Sequence, residues 1–408
     1  MAFFSKQQTG ADKYGGSKRL QGCSSCGLYK QVQTPRLKLQ GLYERKIMLI
    51  SEAPTRQEDR SGEFWVGRQG QFLKNSLRHI GIDVEKDCIT IDAVCCHTTD
   101  VKPIHIEACR RNVFNAIQKY QPRIIILFGM TAVKSVIGSR WQKSIGSIQK
   151  WVGWTIPDME LKCWICPTYD INYVMNSKFP EVQVLWEKTL KNIENVLWKT
   201  FPKYETPDIT YVEEAELYRL PEWIEPGMQP IAIDYETTGI KPDRKGHRII
   251  CAAIAVSTNK AYVFEIPGKK RARQPFLEIL QNKRIPKIAH NMKFEHKWTK
   301  IRLGCEVQGW LWDTMLAAHV LDNRPDTKSL KFQTYVNLGI VDYDSDVAPY
   351  LGALQAEQNE FGANAINKIQ ECITSPTRKK ALMRYCALDT IYTYRLMLVQ
   401  QYQFDLPF

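Results

Sequence analysis

Hydrophobic and polar positions alternate in the C-terminal half of the chain in a way that predicts β-strands. Residues 231–233 form an apolar run that leads into Asp234 and Glu236, and residues 250–257 and 260–266 form two further apolar runs separated by a turn. Side chains two positions apart on a strand point to the same face. Asp234 and Glu236 are therefore expected to lie side by side at the end of the first strand.

Helical spacing of apolar residues predicts two long helices. Residues 378–400 are predicted to form one near the C-terminal end, and residues 182–201 form an amphipathic pattern whose apolar side chains are expected to pack in a core. In the N-terminal half, a helical segment is followed by an apolar strand at residues 124–129. This alternation of helix and strand predicts an α/β layered fold.

Length and composition predict a globular chain with more than one domain. The chain has 408 residues, of which 44% are hydrophobic and 24% are charged, so it can form more than one core. A proline-rich stretch lies between the two halves and marks a boundary. We expect a flexible basic N-terminus at residues 1–19, a first domain at 20–195, a linker at 196–227 and a second domain at 228–408.

The charge of the chain favours a polyanionic partner such as nucleic acid. The formal net charge is +13 at pH 7 and the isoelectric point is about 9.1. No apolar stretch is long enough to span a bilayer, and the N-terminus lacks a signal-peptide hydrophobic region, so we expect a cytoplasmic protein without membrane contact. In that compartment, clustered cysteines indicate metal binding rather than disulfides.

Four cysteines form a candidate metal-binding set. Cys23 and Cys26 begin and end a CxxC motif that can chelate one centre from a tight turn, and Cys96 and Cys109 lie far downstream. Cys95 can take the place of Cys96, because the two are adjacent. Four thiolates suit Zn²⁺ or an iron–sulfur cluster, and the thiolates alone do not distinguish the two.

Four acidic residues from three separate segments form a second candidate site: Asp234, Glu236, Glu295 and Asp389. Close carboxylates repel one another unless a cation neutralises them. Hard divalent ions prefer oxygen ligands, and two of them about 4 Å apart stabilise the attacking and leaving oxygens of phosphodiester cleavage. Tyr385 lies one helical turn before Asp389, so its hydroxyl is expected to orient the attacking water. The set predicts two-metal nuclease chemistry with Mg²⁺ or Mn²⁺.

Residues 228–405 resemble the DEDDy 3′–5′ exonucleases, especially the proofreading domain of family-A DNA polymerases. The resemblance rests on three motifs in order, IAIDYETTG, AHNMKFEHKW and RYCALDTIYTY, and it implies an RNase H-like exonuclease domain. Glu295 is a departure, because the family has aspartate at this position. Asp313 is a spare acid that we expect to cap a helix. Residues 340–376 form an insertion between the second and third motifs, and the sequence does not predict whether it covers the active site.

Residues 20–195 resemble the family 4 uracil-DNA glycosylases. The matching segments include LISEAPTRQED, GEFWVGRQGQFL, ITIDAVCCHTT and CPTYDINYVM. The resemblance implies an α/β/α layered sheet and a [4Fe–4S] cluster held by Cys23, Cys26, Cys96 and Cys109. It also implies a glycosylase-like pocket. The residues that match this pocket are Glu52, Trp65, Asp92 and Asp170.

Two residues of this pocket depart from the family pattern in a direction that disfavours uracil excision. Asp92 stands where the family has the asparagine that hydrogen-bonds the uracil edge, and an ionised carboxylate can only accept hydrogen bonds. Asp170 stands where the family has a histidine near the developing charge. Glu52 keeps the acidic position, and Trp65 replaces a stacking phenylalanine. We expect uracil excision to be lost and DNA binding to remain.

Basic side chains interleaved with aromatic residues favour DNA binding by the first domain. In complexes with single-stranded DNA, cations contact phosphates and aromatic rings stack on bases. The alternative is that the aromatic pair belongs to the core and the charges are solvated. The residues concerned are Phe64 and Trp65, with Arg56, Arg60, Arg68 and Lys74.

These patterns predict a two-domain α/β enzyme, a DNA 3′–5′ exonuclease with an N-terminal glycosylase-like DNA-binding domain. Such a combination is expected of a bacteriophage replication protein in the cytoplasm of a bacterial host. No polymerase segment is expected after the second domain, so a separately encoded DNA polymerase is the expected partner. The alternatives are an active base-excision glycosylase fused to an exonuclease and a non-catalytic polymerase-accessory protein. Single-stranded DNA, mismatched duplex and RNA all stay open as substrates.

Overall fold

The structure is a computed structural model that describes residues 23–141, 143–224 and 229–406. The flexible basic N-terminus predicted at residues 1–19 lies outside the described residues, and so do residues 225–227 of the predicted linker. Among the helices of the described segments, none combines the length and the apolar character that crossing a membrane requires.

The described chain divides into two compact units. The N-terminal unit comprises the residues up to Pro202 together with Tyr335–Val341. The C-terminal unit comprises Lys203–Thr334 and the residues from Asp342 onward. Each unit has its own sheet and its own apolar core.

The N-terminal unit is built on a five-stranded, mostly parallel sheet. Its strands are β1 (Ile47–Ser51), β2 (Cys88–Asp92), β3 (Ile124–Phe128), β4 (Ile156–Asp158) and β5 (Cys163–Thr168). Their order is β2-β1-β3-β5-β4, and only β4 runs antiparallel to its neighbour. The helices are α1 (Cys23–Cys26), α2 (Arg56–Ser61), α3 (Gly67–His79), α4 (Val84–Asp87), α5 (Pro103–Tyr120), α6 (Gly129–Val136), α7 (Ile148–Trp151), α8 (Ile171–Asn176) and α9 (Pro180–Trp198), with a 3-10 turn at Leu28–Lys30.

Both faces of this sheet are buried, as expected for parallel strands connected by helices. Leu49 and Ile126 belong to a core shared with α3, α8 and α9. The alternate residues Met48 and Ile125 are also fully buried, and α6 packs against β1, β3 and β5. The sheet therefore lies between helical layers, and the predicted α/β layering is confirmed. The amphipathic helix predicted at residues 182–201 is α9.

The C-terminal unit is built on a six-stranded mixed sheet. Its strands are β6 (Asp208–Tyr211), β7 (Ile231–Thr237), β8 (Ile249–Ala255), β9 (Lys260–Glu265), β10 (Lys287–Ala289) and β11 (Trp310–Asp313), in the order β11-β10-β7-β8-β9-β6. The other elements are α10 (Leu220–Trp223), α11 (Gln274–Gln281), α12 (Met292–Trp298), α13 (Thr314–Leu321), α15 (Ala348–Leu351), α16 (Gln355–Phe361) and α17 (Pro376–Gln403), with 3-10 turns at Glu214–Arg219, Gly362–Asn364 and Ile369–Glu371 and a π-helical turn at Thr299–Leu303. Helix α14 (Leu330–Leu338) begins in this unit, and its residues from Tyr335 onward are assigned to the N-terminal unit. Strands β7, β8 and β9 form the antiparallel centre of this sheet.

The segment predicted as a linker, residues 196–227, contains folded structure of the C-terminal unit. Strand β6 pairs in parallel with β9, and Leu217 and Leu220 are buried in the core of that unit. A four-residue strand next to a proline-rich stretch carries a weak periodic signal, so the sequence pattern did not indicate it.

Candidate active site

Strand β7 places two carboxylates on one face of the second sheet. Its residues alternate, so that Ile231, Ile233 and Tyr235 belong to the apolar core while Asp234 and Glu236 project from the opposite face. Oxygen atoms of these two carboxylates lie within 4.8 Å of each other. The side-by-side placement expected from the strand period is confirmed.

Helix α12 supplies the third acid, Glu295, whose side chain is only 2% exposed. Glu295 Oε2 has no hydrogen-bond partner among the described residues. Burial and the negative charge of Asp234 raise the pKa of Glu295. Asp313 caps α13 as predicted, and it also accepts hydrogen bonds from the backbone N–H groups of Asn291 and Met292, at 3.1 and 3.0 Å. Asp313 therefore fixes the start of α12, the helix that carries Glu295.

The fourth acid and the tyrosine lie one turn apart on α17. Tyr385 and Asp389 are both buried, and the negative charge of Asp389 acts on the Tyr385 hydroxyl. Burial raises the pKa of Asp389 to about 6. Burial and the charges of Asp389, Glu236 and Asp234 raise the pKa of Tyr385. The structure thus brings all four acids and the tyrosine to one place.

Two further residues of this site, Lys331 and Tyr343, were missed by sequence reasoning. The Tyr343 hydroxyl donates a hydrogen bond to Asp389 Oδ1 over 2.7 Å, and its ring stacks on Tyr385 with centroids 5.9 Å apart. Lys331 forms an ion pair with Asp344, and its ammonium group lies 4.9 Å from the centre of the Tyr385 ring. Tyr343 belongs to the insertion whose location the sequence did not predict, and its contact with Asp389 places this part of the insertion at the site.

The donor set fits hard divalent cations. Burial is the main cause of the raised pKa of Asp234, Glu236, Glu295 and Asp389, so the protein alone compensates their negative charges poorly. A divalent cation supplies that compensation through oxygen ligands, and Glu295 Oε2 is a buried oxygen available for it. The residues are therefore suited to Mg²⁺ or Mn²⁺.

The cysteines of the N-terminal unit are also brought together. Cys23 and Cys26 lie on α1, which packs against α5, the helix that carries Cys109. Burial and the charges of Cys109, Cys26 and Cys23 raise the pKa of Cys96, which places the four thiols within electrostatic reach of one another. Arg36 joins the two ends of the set: its Nε donates to Cys23 Sγ over 2.9 Å and its backbone N–H donates to Cys96 Sγ over 3.5 Å.

The adjacent residues Cys95 and Cys96 interact with different groups. The Cys95 thiol donates a hydrogen bond to the backbone oxygen of Asp92 over 3.5 Å. Interaction with Cys95 is the main cause that lowers the pKa of Cys109 to about 7, and a thiolate is the form that binds metals. Because the charges of Cys23 and Cys26 act on Cys96, Cys96 fits a shared centre with the CxxC pair.

The side chains of two acids of the glycosylase-like pocket accept hydrogen bonds from the N-terminal ends of helices. Glu52 accepts a hydrogen bond from the backbone N–H of Thr131 in α6, over 2.9 Å. Gly129, with φ +82°, is needed there because a Cβ would lie 2.5 Å from Glu52 Oε1. Asp170 is the N-cap of α8 and accepts from the backbone N–H of Tyr173 over 3.1 Å. Burial and the charge of Asp170 raise the pKa of Glu52, so the pocket combines two acids.

The other two pocket residues are buried. Asp92 accepts a hydrogen bond from the Ser51 hydroxyl, and burial raises the pKa of Asp92 well above its ordinary value. Burial thus favours the neutral form of Asp92, which could donate as well as accept a hydrogen bond, contrary to the acceptor-only role expected from the residue type. Trp65 is 8% exposed, donates from its indole nitrogen to Thr90 Oγ1 over 2.8 Å and packs on Phe128. The Trp65 ring therefore contributes to the core.

Three of the four basic residues predicted to contact DNA are exposed: Arg56, Arg60 and Arg68. Lys74 instead forms an ion pair with Glu85, at 2.7 Å. Arg56 and Arg68 line a cavity of about 270 Å³. Its other lining residues are Thr55, Gln57, Val66, Gln69, Asn172, Met175 and Asn176. Cationic and amide side chains of this kind suit phosphate and base edges.

The fold and the two clusters define a class of protein: an α/β chain with a nuclease domain after a glycosylase-like domain. Comparison with family models agrees. Residues 40–192 match the uracil DNA glycosylase superfamily, and residues 215–400 match a family described as 3′–5′ exonuclease. The chain therefore carries an N-terminal domain of the uracil DNA glycosylase superfamily and a C-terminal 3′–5′ exonuclease domain, and both resemblances are confirmed.

Individual relatives match each part of the chain. A DNA polymerase of Bacillus phage SP01 is 24% identical over 339 residues, which cover 75% of this chain and 36% of the polymerase. The chain thus spans about a third of the length of that relative. A type-4 uracil-DNA glycosylase of Thermotoga maritima is 26% identical over 195 residues, covering 46% of this chain and 94% of the glycosylase. Among solved structures, Brucella melitensis NrnC with bound Mg²⁺ is 19% identical with a TM-score of 0.35, over 49% of this chain and 83% of that chain.

Proposed function

We propose that the protein is a DNA 3′–5′ exonuclease of the DEDDy type, which hydrolyses terminal phosphodiesters with two Mg²⁺ or Mn²⁺ ions. The observation that carries this proposal is the convergence of the half-buried Asp234 with the buried acids Glu236, Glu295 and Asp389 beside Tyr385. The net charge of +13 supports a polyanionic substrate.

Each residue has a separate task in this proposal. All four acids are cation ligands in this proposal. Asp234 and Glu236 lie on β7, Glu295 lies on α12 and Asp389 lies on α17. Divalent ions held by these carboxylates would supply charge stabilisation for the attacking and leaving oxygens. The Tyr385 hydroxyl orients the attacking water, since it lies beside Asp389, and burial and the charges of the surrounding acids raise its pKa.

Tyr343 holds Asp389 in place for this reaction. Its hydroxyl donates a hydrogen bond to Asp389 Oδ1, which restricts how the carboxylate rotates. Its stacking on the Tyr385 ring restricts the second tyrosine as well. Pre-organisation of this kind is most effective when side chains are buried and packed, as Asp389 and Tyr385 are.

A test of the proposed reaction compares linear and circular single-stranded DNA. With Mg²⁺, linear DNA is expected to be degraded to mononucleotides, while a circle of the same sequence persists because it has no 3′ end. Excess EDTA is expected to stop degradation. Cutting of the circle would indicate an endonuclease and contradict the proposal.

Glu295→Gln is expected to lower the exonuclease rate by about 10²-fold, because a neutral amide cannot balance the cation charge. The substitution keeps the size of a side chain that is only 2% exposed, so the melting temperature without metal should fall little or rise. Steady-state rates and thermal unfolding measure both effects. A rate equal to that of the wild type would remove Glu295 from the metal site.

We propose that the N-terminal unit is a DNA-holding domain with a [4Fe–4S] cluster bound by Cys23, Cys26, Cys96 and Cys109. The grouping of these thiols and the glycosylase resemblance support the proposal. The exposed arginines and the cavity next to them provide a surface for the DNA backbone.

Purified protein is expected to release no uracil from single- or double-stranded DNA above the level without protein. A charge-stabilising donor is worth about 10²–10³-fold in rate, and Asp170 is instead a hydrogen-bond acceptor that caps α8. The raised pKa of the buried Asp92, which favours a neutral acid able to donate a hydrogen bond, supports the alternative of an active glycosylase. Uracil release that is abolished by Glu52→Ala would establish that alternative.

We further propose that the protein acts in phage DNA replication with a separately encoded polymerase. The similarity to a phage DNA polymerase supports this setting. Co-elution with the polymerase of the same genome in gel filtration is the expected result. Separate elution at concentrations of tens of micromolar, roughly the range of weak complexes, would contradict it.

A further inference from the structure

Cys386 is a fully buried thiol in contact with an active-site carboxylate. It follows Tyr385 on α17, and its thiol donates to Asp234 Oδ2 and to the Asp234 backbone oxygen, each over 3.7 Å. Its contact with the Asp234 carboxylate makes it more than a packing residue.

The thiol and two carboxylates form a compact donor set. Cys386 Sγ and oxygen atoms of Asp234 and Glu236 all lie within 4.8 Å of one another. Two ligands of one zinc-sized ion are at most about 4.5 Å apart, because bonds to sulfur and oxygen are about 2.3 and 2.1 Å long. Small side-chain rotations therefore suffice for all three atoms to reach a single ion.

Glu295, which is outside this set, supports a cation in its neighbourhood. Its Oε2 is buried and has no hydrogen-bond partner within the described part of the chain. The charge of Asp234 acts on the Glu295 carboxylate, so the unpartnered acid lies close to the donor set. Such an oxygen is costly to bury unless a ligand satisfies it.

We propose that Cys386 gives the active site a second cation-binding mode, in which Zn²⁺ or Cd²⁺ is bound by Cys386, Asp234 and Glu236. This inference rests on the proposed function, because the same carboxylates hold Mg²⁺ or Mn²⁺ in the exonuclease reaction. Thiolates prefer soft and borderline ions, whereas Mg²⁺ takes oxygen ligands. As the sulfur–metal bond forms, the thiol proton passes to solvent.

The second mode makes the enzyme sensitive to thiophilic ions. Zn²⁺ bound through Cys386 occupies the carboxylates of β7 and competes with the ions that support cleavage. Its affinity for mixed sulfur and oxygen ligands exceeds that of Mn²⁺. Zn²⁺ or Cd²⁺ at roughly micromolar concentration is therefore expected to inhibit the cleavage that Mg²⁺ supports at roughly millimolar concentration.

Cadmium-113 NMR of the full chain tests the ligand set without any activity measurement. The resonance position reports how many sulfurs bind each ion, so a site with one sulfur is distinct from a four-cysteine site. We expect a one-sulfur resonance in the wild type that disappears in Cys386→Ser and in Asp234→Asn. It should persist in Cys305→Ser, which changes a half-buried cysteine of the same unit.

A chelator competition measures the affinity. Cys386→Ser is expected to weaken Cd²⁺ binding at this site by at least about tenfold, and Cys386→Ala serves as a second variant if serine disturbs the fold. A one-sulfur resonance that survives both variants would overturn the inference. An oxygen-only resonance that only Asp234→Asn removes would also overturn it but leave the exonuclease proposal intact, because that proposal is decided by Mg²⁺-dependent cleavage of DNA.

Discussion

Asp234→Ala is expected to lower the rate of Mg²⁺-dependent DNA degradation by about 10³-fold or more, equivalent to about 4 kcal/mol of transition-state stabilisation. Asp234 contributes a ligand atom from the centre of the carboxylate cluster, and its charge acts on both Glu236 and Glu295. Its loss therefore removes a cation ligand rather than a peripheral contact. Initial rates at saturating Mg²⁺ measure the effect.

Glu278→Ala is the matched control for this variant, because Glu278 is an exposed acid on α11 of the same unit. Its rate should equal that of the wild type. Mn²⁺ is expected to raise the melting temperature of the wild type and of Glu278→Ala but not that of Asp234→Ala. A rate for Asp234→Ala within tenfold of the wild type would show that the cluster is not the catalytic centre.

Cys96→Ser is expected to lose the bound iron and the broad absorption near about 400 nm that the wild type should show. It should also lower the melting temperature of the N-terminal unit by at least about 5 °C, because metal binding contributes folding free energy. Iron analysis, absorption spectra and thermal unfolding measure these effects. If the wild-type protein is colourless and contains zinc, the four cysteines bind zinc rather than an iron–sulfur cluster, which contradicts the proposed cofactor.

Cys95→Ser separates the two adjacent cysteines. The Cys95 thiol interacts with Cys109 and Asp92, whereas the pKa of Cys96 is raised in part by the charges of the CxxC pair. Cys95→Ser is therefore expected to keep its iron, and Cys305→Ser controls for the loss of any thiol. Iron that is lost from Cys95→Ser and kept by Cys96→Ser would reverse the ligand assignment.

The parts of the site that depend on local periodicity could be predicted from the sequence. Asp234 and Glu236 share a face because a strand has a period of two, and Tyr385 and Asp389 share a face because they are one helical turn apart. The cap at Asp313 is likewise a local feature of the chain. The three motifs come together because the chain buries apolar residues of the sheet and of α17 in the core of this unit.

The residues that were missed depend on contacts distant in sequence. Tyr343 reaches Asp389 because of the path of the insertion, and Cys386 meets Asp234 across 152 positions of the chain. Neither has a periodic signal. Asp92 shows a second reason why sequence alone is insufficient. Its residue type suggests an ionised hydrogen-bond acceptor, whereas its complete burial favours the neutral acid.

The most direct test of the central claim follows 5′-labelled single-stranded DNA incubated with Mg²⁺ and either the wild type or Asp234→Ala. The wild type is expected to produce a ladder of labelled products that shorten progressively from the 3′ end, while the variant leaves the DNA at full length. A labelled mononucleotide as the first product would indicate degradation from the 5′ end. That result, or equal degradation by both proteins, would contradict a 3′–5′ exonuclease centred on the carboxylate cluster.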